Sequence, residues 1–255
     1  MNKTPDHPSK RIIVTGAASG IGRAIAHSLA RQGHAVAAAD LKAPDATVQE
    51  ITQAGGQAIA IAADVSNALQ VKEMVRACIE TLGGLEGLVN NAGVFSSIVP
   101  RPFEEIPIDE WRSLYEVNVF GLVNCCQAVV PHMRSAGGGR IVNIISGTPF
   151  KGVPFMLHYV SSKGAVLGIT RSLARELGSA NILVNGVAPG FTLSEGVMAN
   201  PIQLEKLRDI SKNTRSLARD QVPQDVVGAV DFFMSEGSSF ITGQTLVVDG
   251  GSHFN

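Results

Sequence analysis

Short apolar runs alternate with amphipathic stretches along most of the chain. The apolar runs are rich in Val, Ile, Leu and Ala and are bounded by Gly, Asp, Asn or Pro, a pattern typical of strands that are buried on both faces. They predict seven strands, at residues 12–15, 35–39, 58–62, 87–90, 140–145, 182–187 and 245–248. Most of the stretches between them carry apolar residues at helical spacing. This alternation favours an α/β fold in which helices cover both faces of a seven-stranded parallel sheet.

A glycine-rich turn follows the first predicted strand. Residues 15–22 read Thr-Gly-Ala-Ala-Ser-Gly-Ile-Gly, and a helical pattern comes directly afterwards. This order is the context of a dinucleotide-binding fingerprint, because glycine lets the backbone approach a pyrophosphate and the helix N-terminus favours an anion. Glycines also mark ordinary turns, so the motif alone is weak evidence. It predicts a Rossmann-type, doubly wound domain with cofactor contacts at Gly16, Ser19, Gly20, Ile21 and Gly22.

An acidic residue ends the second predicted strand. Asp40 lies eighteen residues beyond Gly22, close to the spacing of about 20 residues expected of the acid that binds the adenosine ribose. A carboxylate there accepts hydrogen bonds from the ribose hydroxyls and repels a 2′-phosphate. Leu41 follows it instead of a basic residue, although Lys42 is a nearby cation. The sequence therefore predicts NAD rather than NADP, with Asp40 and Leu41 beside the adenosine.

One phenol, one amine and one hydroxyl lie at a spacing that suits acid/base chemistry. Tyr159 and Lys163 are four residues apart, about one helical turn, so their side chains leave the same helix face. Ser146 lies thirteen residues before the tyrosine, directly after a predicted strand. A nearby ammonium favours the phenolate of tyrosine, whose ordinary pKa is about 10. Lowering that pKa by about 3 units takes about 4 kcal/mol, so we expect a second positive charge, such as an oxidised nicotinamide, to be needed.

Several chemically suggestive residues lie just beyond the carboxyl ends of predicted strands. Those ends meet at one edge of a parallel sheet, which is where ligands bind in open α/β folds. The residues are Gly16, Asp40, Asp64, Asn91, Ser146 and Pro189. Their shared edge predicts one ligand cleft.

Composition narrows the classes of partner. The chain has 255 residues, 45% of them apolar, and a net charge of −1, which suits a single α/β domain at 11–255 and gives no electrostatic reason to bind nucleic acid. Three cysteines without metal-ligand spacing predict no metal site and favour the reducing cytoplasm. The polar stretch 1–10 lacks an apolar signal region, and no apolar run reaches roughly 18 residues, so we expect a flexible tail and no membrane span.

The ordered motifs resemble the compact short-chain dehydrogenase/reductase family over nearly the whole chain, from Thr15 to Gly251. Besides the glycine turn, the matching segments are Asp64-Val65, Asn90-Asn91-Ala92-Gly93, Asn118, Ser146, Tyr159-Val160-Ser161-Ser162-Lys163 and Pro189-Gly190. Each segment is modestly specific. Their order and spacing make the set highly specific.

The resemblance implies a role for each matching residue. Tyr159 corresponds to the family's catalytic acid/base, and Ser146 to the hydroxyl that hydrogen-bonds the substrate oxygen. Lys163 corresponds to the residue that binds the nicotinamide ribose and lowers the tyrosine pKa. Asn118 corresponds to the residue that holds a water in a proton relay. Further NAD contacts are implied at the adenine (Asp64, Val65), the adenosine ribose (Asn91, Gly93) and the nicotinamide carboxamide and phosphates (Thr192, Ser194).

The substrate is the least defined part of the prediction. The family's mobile substrate lid corresponds to residues 191–218. Phe191 from that segment, with Phe150, Phe155 and the loop 94–98, is predicted to line a mostly apolar cavity. We therefore expect the substrate to be an uncharged small molecule, a ketone or secondary alcohol of aryl or alicyclic type.

Two other functions stay open. The family includes 3-oxoacyl reductases that act on carrier-protein or CoA thioesters, usually take NADP and dock an acidic carrier on basic residues. In this chain the corresponding stretches are 135–140 and 178–181, and the basic residues usual before the shared Gly139-Arg140 and in the second turn are absent. A non-catalytic NAD(H)-sensing module would be indicated by loss of Tyr159 or Lys163, and both are present. Because the family is usually tetrameric, we also expect a homotetramer that packs through the last strand and through helices at 109–133 and 158–178.

Overall fold

The fold is a seven-stranded sheet, seen in a computed structural model that describes residues 9–254. The strand order is β3-β2-β1-β4-β5-β6-β7, and every neighbouring pair is parallel. The strands are β1 (Arg11–Thr15), β2 (Ala35–Asp40), β3 (Gln57–Ala62), β4 (Gly87–Asn90), β5 (Gly139–Ile144), β6 (Ile182–Pro189) and β7 (Thr245–Val248). All seven predicted strands are confirmed, with ends that differ from the prediction by no more than two residues.

Helices connect the strands and cover both faces of the sheet. The α-helices of the described region are α1 (Gly20–Arg31), α2 (Asp45–Gln53), α3 (Ala68–Leu82), α4 (Ile108–Tyr115), α5 (Leu122–Ser135), α6 (Thr148–Lys151), α7 (Leu157–Leu177), α8 (Glu195–Met198), α9 (Pro201–Asn213) and α10 (Gln224–Met234). A π-helical turn, Glu116–Gly121, joins α4 to α5, and single 3-10 turns lie at Phe103–Glu105, Gly178–Ala180 and Glu236–Ser238.

The strands are apolar along most of their length because each face of the sheet packs against its own layer of helices. Ile13 of β1 belongs to the core that α3, α5 and α7 cover. Its neighbours Ile12 and Val14 belong to the opposite core, under α1, α2 and α10. All three side chains are fully buried. Successive residues of a strand point to opposite faces, so burial of both faces produces the unbroken apolar runs seen in the sequence.

The strand order places a crevice at the carboxyl edge of the sheet. The chain runs outward from β1 to β3 and then returns to add β4 on the other side of β1. Connections therefore leave β1 and β4 in opposite directions, which opens the space that ligands occupy in doubly wound folds. The topology confirms the Rossmann-type arrangement expected from the sequence.

A long apolar helical stretch runs through Ile108–Ser135. By length and composition alone it is apolar enough to cross a membrane, and 44% of its most apolar window is buried inside the fold. A core helix with one buried side meets the same criterion. Within this stretch Cys125, Val129 and Met133 are fully buried in the core that α3, α5 and α7 cover, which we call the main core.

The predicted flexible tail, residues 1–10, lies outside the described residues except for Ser9 and Lys10. The Ser9 hydroxyl donates to the carbonyl of Gly33 at 2.7 Å. The Lys10 ammonium donates to Glu236 at 2.9 Å. These two residues therefore contact the fold and do not belong to a free tail.

Candidate active site

A cleft of about 540 Å³ lies at the carboxyl edge of the sheet, where the strand order reverses. It brings together residues that follow six of the seven strands, although they are spread over most of the sequence. The residues singled out from sequence that line it are Gly16, Ser19, Gly20, Ile21, Gly22, Asp40, Leu41, Asp64, Val65, Asn91, Gly93, Ser146, Tyr159, Lys163, Phe191, Thr192 and Ser194. The predicted single cleft is therefore present.

Two glycines of the turn, Gly16 and Gly22, lie where a side chain would not fit. Gly16 has a φ of +66°, a left-handed conformation that favours glycine. A Cβ added to Gly22 would lie 2.0 Å from the carbonyl oxygen of Gly16. The Asn91 amide closes the turn from the other side, donating to the carbonyls of Thr15 at 2.9 Å and Gly16 at 3.0 Å. Asn91 therefore also shapes the turn, a role the sequence did not predict.

The first turn of α1 binds a carboxylate from a distant part of the chain. Ser19, the residue that precedes the helix, makes no capping hydrogen bond with its side chain. Instead, Gly20 N–H donates to the Glu195 carboxylate at 2.8 Å, and the Arg23 guanidinium lies 3.5 Å from the same carboxylate. Exposed amides and positive charge at a helix N-terminus suit phosphate as well as carboxylate. This end of the cleft therefore fits the pyrophosphate of a dinucleotide.

Asp40 is held in a fixed orientation at the adenosine end of the cleft. Its two carboxylate oxygens accept hydrogen bonds from Ala18 N–H at 2.9 Å and from Leu41 N–H at 2.8 Å. Each oxygen has a second lone pair, which leaves the group able to accept hydroxyl donors. The Leu41 side chain is 71% exposed. This carboxylate therefore has the acceptor capacity for a ribose hydroxyl, and the preference for NAD over NADP stays a prediction.

The phenol, hydroxyl and amine predicted to do the chemistry are buried together at the middle of the cleft. Tyr159 and Lys163 are each 6% exposed and Ser146 is 7% exposed. Burial raises the pKa of Tyr159 to about 12, while its hydrogen bond with Ser146 acts in the opposite direction. Burial also lowers the pKa of Lys163 to about 8, and its ammonium donates to the carbonyl of Ile144 at 2.9 Å.

The effect of Lys163 on the tyrosine pKa that the family resemblance implies stays a prediction. In the protein without cofactor, desolvation of the phenol is the largest influence on the pKa of Tyr159. Burial also lowers the pKa of Lys163 itself. The result agrees with the sequence-based expectation that a further positive charge is needed.

Asn118 is not part of the cleft lining and is hydrogen-bonded to the loop that follows β4. Its Oδ1 accepts from Val94 N–H at 2.7 Å, and its Nδ2 donates to the Val94 carbonyl at 3.2 Å and to Ser162 Oγ at 3.3 Å. The residue sits in the π-helical turn, a distortion that often marks functional sites. Its side chain therefore fixes the loop beside Lys163, and its predicted contact with a relay water stays a prediction.

The structure places two of the predicted substrate contacts, Phe150 and Phe155, outside the lining of the cleft. Phe150 packs against the main core and stacks on His253 with ring centroids 5.5 Å apart. Phe155 is 56% exposed with a φ of +65°, and neither residue belongs to the lining of the cleft. Phe191 does line it, as predicted, and Phe95 from the loop 94–98 packs on Tyr159 at 4.9 Å between ring centroids.

The substrate end of the cleft also contains a cation that no sequence motif indicates. Lys151 lines the cleft at the end of α6, five residues after Ser146. Its ammonium lies 3.3 Å from the carboxylate of Asp249, which is 2% exposed. The pair leaves little net charge in this part of the wall. The remaining lining there is mostly apolar, from Phe95, Val153, Met156, Phe191, Leu207 and Ile210.

Comparison with known sequences agrees with the geometry. Residues 16–253 match the family model described as enoyl-(acyl carrier protein) reductase. The chain is 37% identical over 248 residues to the 3-oxoacyl-[acyl-carrier-protein] reductase FabG of Staphylococcus epidermidis, covering 96% of this chain and 99% of the relative. A 3-oxoacyl-[acyl-carrier-protein] reductase of Synechocystis is 36% identical over 246 residues, covering 94% and 95%.

Solved structures show the same similarity. A candidate short-chain alcohol dehydrogenase from Sinorhizobium meliloti superposes with a TM-score of 0.90 at 35% identity, covering 97% of each chain. A candidate NAD(P)-dependent gluconate 5-dehydrogenase from Beutenbergia cavernae, which holds NADP at low occupancy, gives a TM-score of 0.88 at 35% identity over 98% and 99% of the two chains. The chain belongs to the short-chain dehydrogenase/reductase family, and it is an oxidoreductase with an NAD(P)-binding fold.

Proposed function

We propose that this protein interconverts a secondary alcohol and a ketone with NAD(H), using Tyr159 as the acid/base. The observation that carries the proposal is the burial of Tyr159, Ser146 and Lys163 in the same cleft as the glycine turn and Asp40. A bound nicotinamide would supply or accept the hydride. The protein then has to manage one proton and the charge that develops on the substrate oxygen.

The residues at the centre of the cleft suit that task. During ketone reduction the substrate oxygen gains negative charge, which hydroxyl donors placed at that oxygen stabilise. In the protein without substrate the Ser146 hydroxyl is hydrogen-bonded to Tyr159, and when a ketone binds both hydroxyls would turn to donate to its oxygen. The high pKa of the buried Tyr159 phenol keeps its proton available for the ketone oxygen at neutral pH. Lys163, buried one helical turn away, would favour the phenolate through its positive charge when the reaction runs as an oxidation.

Asp40 supports NAD as the preferred cofactor. Its carboxylate is fixed by two backbone N–H donors at the end of β2. A 2′-phosphate placed there would face a negative charge, whereas a ribose hydroxyl would find an acceptor. Comparison of kcat/KM for NAD and NADP tests this part of the proposal, and equal or reversed values would refute it.

The cleft supports an uncharged, mostly apolar substrate. The substrate end is lined largely by aromatic and aliphatic side chains, and the Lys151 charge is offset by Asp249 at 3.3 Å. A carboxylate or phosphate on the substrate would have to compete with Asp249 for that ammonium. An aryl or alicyclic ketone avoids the competition and buries apolar surface.

A 3-oxoacyl thioester is the second candidate substrate, because the two 3-oxoacyl reductases compared above are 37% and 36% identical to this chain. The position of Arg140 favours the first candidate. Arg140 is 7% exposed and bonds Ser238 at 2.9 Å and Glu236 at 3.3 Å, so it is not free to dock an acidic carrier. A non-catalytic NAD(H)-sensing role is disfavoured by the intact Tyr159, Ser146 and Lys163.

One screen separates these functions. Purified protein is assayed for NAD reduction with cyclic, aryl and aliphatic secondary alcohols and with a 3-hydroxyacyl thioester. Activity on the alcohols supports the proposal. Activity on the thioester alone would reverse the substrate ranking, and tight NADH binding with no turnover of any substrate would favour the sensing role.

We also propose that residues 191–218 act as a lid, that the protein is a homotetramer and that it works in the cytoplasm. The 191–218 segment contributes Phe191, Thr192, Ser194, Leu207 and other residues to the cleft wall, which supports its role as a lid. Exposed apolar side chains on the helices and last strand expected to pack between subunits support assembly; these are Phe120, Leu157 and Leu246. Light scattering after size-exclusion chromatography tests the assembly, and a monomeric mass would refute it.

A further inference from the structure

Gln203 is an unusual residue in the segment that covers the cleft. It lies in α9 and is fully buried, 0% exposed, although glutamine is mostly found at protein surfaces. Its Nε2 donates to the carbonyl of Phe95 at 2.7 Å and to that of Ile98 at 3.0 Å. Its Oε1 has no hydrogen-bond partner among the described residues. Since an unpaired buried acceptor is unfavourable, the two donated bonds are what this amide contributes.

Both of those bonds end on one tight turn after β4, residues 95–98. Ile98 N–H donates to the carbonyl of Phe95 at 3.0 Å and closes the turn. Asn200, which caps the start of α9, donates to the carbonyl of Ser96 at 2.7 Å. The 191–218 segment thus holds the carbonyls of residues 95, 96 and 98, and Gln203 provides two of these three contacts.

The 95–98 turn carries a side chain that contacts the acid/base. The Phe95 ring lies 4.9 Å from the Tyr159 ring and 6.3 Å from the Phe191 ring, measured between centroids. Phe95 therefore shields one side of the phenol from water and completes the apolar wall where a substrate would lie. Its position depends on the backbone of the 95–98 turn, which Gln203 fixes.

We propose that Gln203 is a positioning residue for catalysis: it holds Phe95 against Tyr159, so that closure of the 191–218 segment also completes the wall beside the phenol. The inference rests on the proposed function, because Phe95 packs against the tyrosine that is proposed as the acid/base. It predicts that Gln203 acts on the reaction only through Phe95.

The test is a double-mutant cycle with Gln203→Met and Phe95→Ala. Methionine keeps the length of glutamine, removes both donors and also removes the unpaired acceptor. Lys206→Met is the matched control, since Lys206 lies in the same helix and its hydrogen bond, at 3.3 Å, goes to the carbonyl of Pro100, outside the 95–98 turn. The readouts are kcat and KM for the ketone, the Kd of NADH, and the titration of the Tyr159 phenol by ultraviolet absorbance in a Tyr115→Phe background, which leaves one of the two tyrosines.

We expect Gln203→Met to lower kcat/KM for the ketone at least tenfold, with the Kd of NADH changed less than twofold. The phenol should titrate at lower pH than in the parent, because a displaced Phe95 lets water reach it. Lys206→Met should change kcat/KM less than twofold. In the Phe95→Ala background, Gln203→Met should have no more than a twofold further effect.

Equal losses from Gln203→Met in both backgrounds would overturn the proposal, since the two residues would then act independently. So would a Gln203→Met variant that matches Lys206→Met, or one that leaves the phenol titration unchanged. If Gln203→Met does not fold, Phe95→Ala decides: unaltered kcat/KM and unaltered phenol titration in that variant would also overturn it. Failure of the proposed function is distinct, because the parent protein would then have no ketone reductase activity at all.

Discussion

Replacement of Asp40 by Asn should weaken the preference for NAD over NADP. The change removes one negative charge and keeps the size of the side chain. In the native protein the carboxylate accepts from Ala18 N–H at 2.9 Å and from Leu41 N–H at 2.8 Å. The asparagine amide keeps one of these bonds at most, because its NH2 group cannot accept from a backbone N–H.

The size of the effect follows from the charge at this position. Two unit charges about 4 Å apart repel by about 1 kcal/mol in water, and a phosphate monoester carries close to two charges at neutral pH. Since Asp40 lies at the partly exposed end of the cleft, the value for water is the appropriate lower bound. Removing its charge should therefore favour NADP by about 2 kcal/mol, roughly 30-fold in the ratio of kcat/KM values.

The assay measures kcat/KM for both cofactors with one alcohol at saturating concentration. Asp45→Asn is the matched control, because Asp45 is an exposed residue in the first turn of α2, outside the lining of the cleft. It should leave the cofactor ratio within twofold of the parent. A ratio that changes less than threefold in Asp40→Asn, or that changes equally in both variants, would refute the role of this carboxylate.

Three further predictions concern the phenol, the lysine and the lid. Burial raises the pKa of Tyr159 to about 12 before the cofactor binds. Alcohol oxidation needs the phenolate and ketone reduction needs the phenol, so kcat/KM should rise with pH for oxidation and fall with pH for reduction. Parallel pH profiles for the two directions would contradict the role of Tyr159. Burial lowers the pKa of Lys163 to about 8 from 10.5, so its charge destabilises the folded state below about pH 8, and this cost is relieved as the pH rises towards 10.5. In urea unfolding, the free energy of unfolding of the parent should therefore rise by about 3 kcal/mol relative to that of Lys163→Met across this pH window. A difference that does not change with pH would contradict the prediction. The Glu195 carboxylate accepts from Gly20 N–H at 2.8 Å, where the pyrophosphate is expected to bind, so Glu195→Gln should remove a competing negative charge and lower the Kd of NADH severalfold in a fluorescence titration. An unchanged Kd would show that this carboxylate does not compete with the cofactor.

The strands and the cofactor end of the cleft were predictable because they depend on local sequence. Burial on both faces leaves an unbroken apolar run, and a strand that ends in a glycine turn fixes where the following helix begins. Gly16, Gly22 and Asp40 therefore stand at positions that backbone geometry dictates. Tyr159 and Lys163 were predictable for a similar reason, since a four-residue spacing places them on one face of α7.

The remaining features depend on contacts between distant segments. Phe150 and Phe155 follow the strand that leads to Ser146, but the short α6 and a left-handed residue at position 155 direct them away from the cleft. Glu195 reaches α1 across 175 residues and Gln203 reaches Phe95 across 108, and no local pattern marks either one. The pKa of Tyr159 likewise depends on how deeply the folded chain buries the phenol.

Turnover by Tyr159→Phe is the most direct test of the proposed chemistry. Phenylalanine keeps the ring that packs on Phe95 and removes the hydroxyl, and Tyr115→Phe provides the same chemical change outside the cleft lining. We expect Tyr159→Phe to bind NADH within twofold of the parent and to lose turnover by a hundredfold or more, as lost acid/base catalysis predicts, while Tyr115→Phe stays active. Parent-level turnover in Tyr159→Phe would contradict the assignment of Tyr159 as the acid/base.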